Sequence, residues 1–356
     1  MPKIRLLIID DAVVIRRLLA NCFDGDSDIE VVGTAANGQI GLAKLAQLNP
    51  DVVTLDMEMP VMDGLQTLAA IRKTNRALPV IMFSTLTERG ASATFDALAL
   101  GANDYVTKPA NVGSVGEAIK RVRDELIPKI RTLCGRKSAP VATIDLGRRV
   151  AAPLPVAPSA ASAHVEVLAI GVSTGGPNAL AALLPGLGKN FPVPIVIVQH
   201  MPPLFTRLLA ERLSAVSDLL VREGHTGAPL MPGEAWVAPG GHHLEVERTA
   251  HGARLRTHED PPENSCRPAV DVLFRSVAKV YGAHALAVVL TGMGQDGLRG
   301  CEHIREARGR ILAQDEATSV VWGMPGAVAQ AGLAEKIIPL PALAAEINRL
   351  VAVGTR

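Results

Sequence analysis

Over the first 130 positions, apolar residues come in short unbroken runs separated by segments with a helical period. Ile4–Ile9 is continuous but for Arg5, the pattern of a strand covered on both faces. Ile15, Leu18, Leu19 and Cys22 then recur at i, i+3, i+4 and i+7, one face of a helix. Val31-Val32, Val52–Leu55, Val80–Phe83 and Tyr105-Val106 mark further strands, with helices over 38–48, 64–73, 90–100 and 112–126. Five β-α units in succession predict a doubly wound, flavodoxin-like α/β domain with five parallel strands and right-handed crossovers. Ligands on such a sheet sit at the carboxyl ends of the strands.

The second half repeats the alternation with more hairpin character. Val165–Ile170, Ile195–Val198, Ala285–Leu290 and Arg310–Ala313 read as strands of a mostly parallel α/β domain. Ala235–Ala238 and Leu244–Val246 flank Pro239-Gly240-Gly241, a turn signal between two short runs. Pro325 suits the first turn of a helix over Gly326–Ala331. Between about Lys137 and His164 both periodicities vanish into Ala, Pro and Ser, which favour extended chain. The expected division is a first domain over 1–128, a tether over 129–163 and a second domain over 164–356.

Composition narrows the class. Apolar residues at 48% and charged residues at 20% argue against overall disorder, and 3% aromatics leave the cores to Ala, Val, Leu and Ile. Thirty-six basic and 35 acidic side chains give 36 − 35 = +1, no electrostatic basis for nucleic acid or an anionic membrane as partner. No apolar run reaches the roughly 18 residues of a membrane span, and Met1–Ile9 lacks the features of a signal peptide. Cys22, Cys134, Cys266 and Cys301 form no C-x-x-C pair, which fits a reducing cytoplasm. A monomer is the default expectation.

Four features of the first half fall at strand ends: Asp10-Asp11, Asp56, Ser84 and Lys108-Pro109. Singly, an Asp after a strand is an ordinary turn residue. Together, crowded carboxylates repel unless a hard divalent cation such as Mg²⁺ bridges them. That cation, Lys108 and the Ser84 hydroxyl would neutralise a transferring phosphoryl group, with Asp56 as nucleophile. These residues resemble the receiver domain of two-component response regulators over about 1–125. The resemblance implies Asp56 as phospho-acceptor, Asp11 and Asp56 as Mg²⁺ ligands, Asp10 as an indirect ligand and the Glu58 backbone carbonyl as another. It also implies Ser84 and Lys108 as phosphate contacts and Tyr105 as an aromatic switch.

In the second half, strand Val165–Ile170 runs into Gly171-Val172-Ser173-Thr174-Gly175-Gly176-Pro177. This is G-x-S-x-G between strand and helix, where a sharp turn exposes the hydroxyl. The spacing is neither G-x-G-x-x-G nor a P-loop. A nucleophilic serine needs a base, and the base an orienting acid. His200 ends strand Ile195–Val198, and Asp296 lies just past Ala285–Leu290. Each alone reads as a strand-end turn residue; on one sheet edge the three form a hydroxyl–imidazole–carboxylate set, in an order unlike that of α/β-hydrolases. Backbone amides near Thr174 and Met293 are the oxyanion candidates. His242-His243 point to opposite faces of a strand and predict no metal site; His225 and Cys266 fit no pattern.

The second half, through Gly171–Pro177, Gln199–Pro202, Ala238–His243, Arg267–Asp271 and Thr291–Gly297, resembles the catalytic domain of chemotaxis protein-glutamate methylesterases, the CheB family, over about 164–352. The resemblance implies a carboxylic ester hydrolase that demethylates glutamate γ-methyl esters and deamidates glutamines on methyl-accepting chemotaxis receptors. It implies a histidine kinase as phosphodonor, no esterase cofactor, and an unmodified receiver that covers the esterase site. The other readings are a receiver-controlled binding module without catalysis, and a transcription factor; the second half lacks the basic helix-turn-helix that the latter requires.

Overall fold

The structure is a computed structural model that describes residues 2–109, 114–135 and 164–352. The first sheet is built from β1 (Ile4–Ile9), β2 (Ile29–Ala35), β3 (Val52–Asp56), β4 (Val80–Ser84) and β5 (Asp104–Thr107), all parallel, in the order β2-β1-β3-β4-β5. Its helices are α1 (Val13–Cys22), α2 (Gly38–Leu48), α3 (Gly64–Thr74), α4 (Glu88–Ala99) and α5 (Val115–Leu133). Alternation along β1 sorts the layers. Ile4, Leu6 and Ile8 pack with Leu19 of α1 and Leu126 and Ile130 of α5, whereas Leu7 and Ile9 face Leu68 of α3 and Phe95 of α4.

The second sheet has seven strands: β6 (Val167–Val172), β7 (Ile195–Gln199), β8 (Leu220–Glu223), β9 (Glu234–Val237), β12 (Ala285–Val289), β13 (Arg310–Gln314) and β14 (Lys336–Ile338). Its order is β14-β13-β12-β6-β7-β9-β8, and every pairing is parallel. Helices α6 (Gly176–Leu183), α7 (Phe205–Val216) and α11 (Leu340–Ala352) cover one face. The other carries α8 (Val270–Tyr281), α9 (Leu298–Glu306), α10 (Met324–Gln330) and an antiparallel hairpin of β10 (His243–Thr249) and β11 (Gly252–His258). Among the described residues, no helix is long and apolar enough to cross a membrane.

Two expectations are corrected. Ala235–Ala238 and Leu244–Val246 do not pair: β9 joins the large sheet, and β10 takes β11 instead. Pro239–Gly241 carries the chain between layers because Gly240 lies against Pro202 and Pro203, where a Cβ would come within 2.2 Å of backbone. The last helix of the first domain does not stop at 126 or yield to a tether at 129. It runs through Pro128 to Leu133, and buried Ile130 together with Lys129, bonded to Asp104 and the Tyr105 carbonyl, holds the extension in place. The rest of the expected tether, over 136–163, lies outside the described residues.

The two domains are docked. Phe95, Leu98 and Tyr105 of the first belong to one continuous buried cluster with Phe205 and Leu209 of the second. Tyr105 stacks flat on Phe205, with centroids 4.8 Å apart and planes 3° from parallel. Arg212 pairs with Asp96 at 2.7 Å, Arg207 pairs with Glu88, and Asn178 donates to the Leu98 carbonyl.

Candidate active site and receiver site

β12, β6 and β7 are neighbours in the sheet. Parallel register therefore brings Asp296, Ser173 and His200, which follow them, to one edge. The turn after β6 is fixed from several sides. The Ser173 N–H donates to the Thr291 carbonyl, and its own carbonyl accepts from the Gly176 N–H and from Gln199 Nε2. Gly175 has φ +79°, a conformation that side chains resist. Gly292 packs so closely on Ser173 that a Cβ would sit 2.9 Å from the serine Cβ.

His200 Nε2 lies 2.7 Å from Asp296 Oδ2. An ionised carboxylate only accepts, so Nε2 carries the hydrogen and Nδ1 is the nitrogen left for proton transfer. The Asp296 oxygens also accept from the Val270, Asp271 and Gly297 N–H groups and from Asn264 Nδ2. Burial disfavours the charge on Asp296, but the His200 bond and these amides outweigh it and hold its pKa below the usual range. Burial likewise opposes charge on His200. The neighbouring Cys266 sulfur and the bond to Asp296 prevail, and push its pKa up to about 10.

Ser173 and His200 line one cavity of about 630 Å³, but no hydrogen bond joins them among the described residues. Nδ1 instead meets Cys266 Sγ at 3.6 Å. Hydrogen-bonding reach across all three residues, as the sequence predicts, is thus realised for His200 and Asp296 alone; reactive contacts commonly tighten only when substrate binds. Asp104, Tyr105 and Lys129 of the first domain wall the same cavity. Asp104 accepts from the Thr174 hydroxyl at 2.7 Å, and Met293 Sδ accepts from Thr132 Oγ1 at 3.5 Å. The Thr174 and Met293 backbone N–H groups make no bond to a backbone carbonyl among the described residues.

In the first domain, oxygens of Asp10, Asp11 and Asp56 lie within 4.8 Å of one another. Lys108 Nζ reaches Asp56 at 2.8 Å and Asp10 at 3.1 Å. Burial, offset by the Lys108 bond and reinforced by the Asp10 charge, pushes the Asp56 pKa up to about 6. Asp56 Oδ2 is buried without a hydrogen-bond partner. An orphaned oxygen in an all-carboxylate cluster fits a hard divalent cation. Ser84 ends β4, but its hydroxyl turns to the Gly90 carbonyl and Thr94 of α4. Glu58 follows the cluster with its side chain 3.8 Å from Arg89.

Gln199, Asn264, Asp104 and Cys266 are site residues to which the sequence reading gives no role. Gln199 was legible only as part of a motif; the others reach the site through long-range contacts.

A receiver-type domain docked over a pocket with a serine beside an imidazole–carboxylate pair defines the class, a regulated hydrolase. The CheB methylesterase family profile matches residues 168–347, and the response regulator receiver domain profile matches residues 6–120. The chain is 54% identical to the protein-glutamate methylesterase/protein-glutamine glutaminase of Trichodesmium erythraeum, over 99% of this chain and 100% of that one. It is also 54% identical to the protein of the same name from Nocardioides sp., over 99% and 96%. The crystal structure of the Thermotoga maritima CheB methylesterase catalytic domain superposes with TM-score 0.52 at 39% identity, covering 53% of this chain and all of that one. The chain belongs to the CheB methylesterase family.

Proposed function

We propose that the protein is a phosphorylation-activated esterase that hydrolyses glutamate γ-methyl esters, and deamidates glutamines, on methyl-accepting chemotaxis receptors in the cytoplasm. Ser173 Oγ attacks the γ-carbonyl carbon, and its proton passes to His200 Nδ1. Asp296 holds the opposite nitrogen and stabilises the imidazolium. The oxyanion is received by the backbone N–H groups of Thr174 and Met293. Collapse breaks the ester C–O bond, and the leaving group takes the proton from Nδ1 as methanol. Water then attacks the acyl-serine by the same route and leaves glutamate. With a glutamine side chain the first product is ammonia.

Asp56 is the acceptor of a phosphoryl group from a chemotaxis histidine kinase. Asp11, Asp56 and the Glu58 carbonyl would hold Mg²⁺, with Asp10 indirectly, and the ion when bound neutralises charge on the phosphoryl oxygens. Lys108 contacts the phosphoryl group, and Ser84 does so once its hydroxyl leaves α4. In the docked arrangement the receiver walls the cavity, so its release opens the site.

The observation that carries this reading is the 2.7 Å His200–Asp296 pair, whose imidazole lines the same cavity as Ser173. The test is methanol release from methylated receptor cytoplasmic fragments, with and without a small phosphodonor and Mg²⁺. Release that is stimulated by the phosphodonor is expected. No release in either condition overturns the reading.

A further inference from the structure

The half-buried thiol of Cys266 has no part in the reaction above, yet it is the group that occupies His200 Nδ1. Its loop is held firmly. Glu263 and Cys266 exchange backbone hydrogen bonds in both directions, Arg275 grips Glu263 through two bonds of 2.8 and 2.5 Å, and Asn264 is tied to Asp296. The sulfur is therefore presented to the nitrogen in a fixed position.

A tetrahedral Zn²⁺ binds thiolate sulfur at about 2.3 Å and imidazole nitrogen at about 2.0–2.1 Å, which sets the two ligand atoms about 3.5 Å apart. The observed separation is 3.6 Å. Asp296 lies in the same cluster, but its two oxygens already accept five hydrogen bonds, so it stays out of the coordination. The open side of the pair faces the cavity that holds Ser173. From this geometry we propose that Cys266 Sγ and His200 Nδ1 chelate a thiophilic divalent cation such as Zn²⁺, which inhibits the enzyme by taking the nitrogen that must accept the serine proton. The inhibitory half of this proposal rests on the assignment of His200 as base.

The test uses the full chain with saturating Mg²⁺ and Zn²⁺ as the probe. The first readout is alkylation of Cys266 by iodoacetamide, followed by peptide mass spectrometry with Cys134 as the internal reference. With zinc at about ten times its Kd, Cys266 alkylation slows about tenfold, as mass action requires, while that of Cys134 does not. The second readout is ester hydrolysis, each variant being compared with its own zinc-free rate. Cys266→Ser removes a coordinating sulfur rather than a supporting group, so the half-inhibiting zinc concentration rises by at least the ~10–100-fold that loss of a supporting group costs. Equal inhibition of Cys266→Ser, or unprotected Cys266 in the unmodified chain, overturns the proposal. Alkylation is read without turnover and without a variant, so failure of the esterase reading and failure of the metal site give different results.

Discussion

The Thr174 hydroxyl, one residue beyond Ser173, donates a 2.7 Å hydrogen bond to the Asp104 carboxylate of the receiver. Lys129 holds the other Asp104 oxygen at 3.1 Å, and its ammonium lies 5.3 Å over the ring of Tyr105. A residue of the turn after β6 is thus bonded directly to the strand that carries Tyr105. A buried hydrogen bond to a charged group contributes about 1.5–3 kcal/mol. Asp104→Ala should therefore raise the unphosphorylated esterase rate, about 5–30-fold if one or two kcal/mol of docking is lost. Methanol release without phosphodonor checks this. A rate equal to that of the unmodified chain would place the latch elsewhere.

Residues 164–356 alone, freed of the receiver, should hydrolyse methyl esters faster than the unphosphorylated full chain. Equal rates in the same assay refute coverage of the site as the inhibitory device. Asp56→Asn in the full chain should abolish stimulation by a phosphodonor with Mg²⁺.

Ser173→Ala should abolish turnover while leaving the thermal melting temperature unchanged, because the side chain makes no bond to His200 that the fold depends on. Asp296→Asn disrupts the His200 tautomer and should cost on the order of 10⁴ in kcat. Methanol release at normal rate from either variant would sink the triad.

The raised His200 pKa sets a sign for the pH dependence. A general base acts only when unprotonated, and a pKa of about 10 keeps most of His200 protonated at neutral pH. The rate of the unphosphorylated chain should rise with pH and level off near 10, after subtraction of spontaneous ester hydrolysis. Cys266→Ala removes the sulfur beside Nδ1, leaves burial less opposed, and should move that limb to lower pH. A profile identical in the variant, measured with chelator present, would show that the sulfur does not hold the proton on the imidazole.

Asn264 bridges Asp271 Oδ2 and Asp296 Oδ1 at 2.9 Å each. Asn264→Ala should lower kcat about tenfold, since it loosens the acid that orients His200; the loss corresponds to roughly 1–2 kcal/mol. A pure rise in KM would contradict this.

Much of the architecture was legible because its strands are buried on both faces. β1, β3, β4, β6, β7 and β12 read as apolar runs and lie where the runs predict. β8 and β14 were missed because they are short edge strands whose exposed residues Leu220 and Ile337 break no pattern and make none. The β9–β10 pairing was misread because a Pro-Gly-Gly turn between two short runs looks the same whether the strands pair or part. The end of α5 was misplaced because Pro128 normally stops a helix, whereas here tertiary contacts of Lys129 and Ile130 carry it on. Ser173 is singled out by G-x-S-x-G after a strand, whereas His200 and Asp296 alone read as turn residues and are joined to it by the resemblance to the CheB family. Cys266 and Asp104 were not legible, since each reaches the site from a distant part of the chain: Cys266 lies 66 residues from His200, and Asp104 70 residues from Thr174.

Because Tyr105 and Phe205 lie in one shared hydrophobic interior, separating the halves wets an aromatic face that folding had kept dry. That exposure opposes opening in proportion to the apolar area uncovered. On the function proposed above, the open form is therefore the costlier one, and an apolar molecule that occupied the vacated face would prolong it.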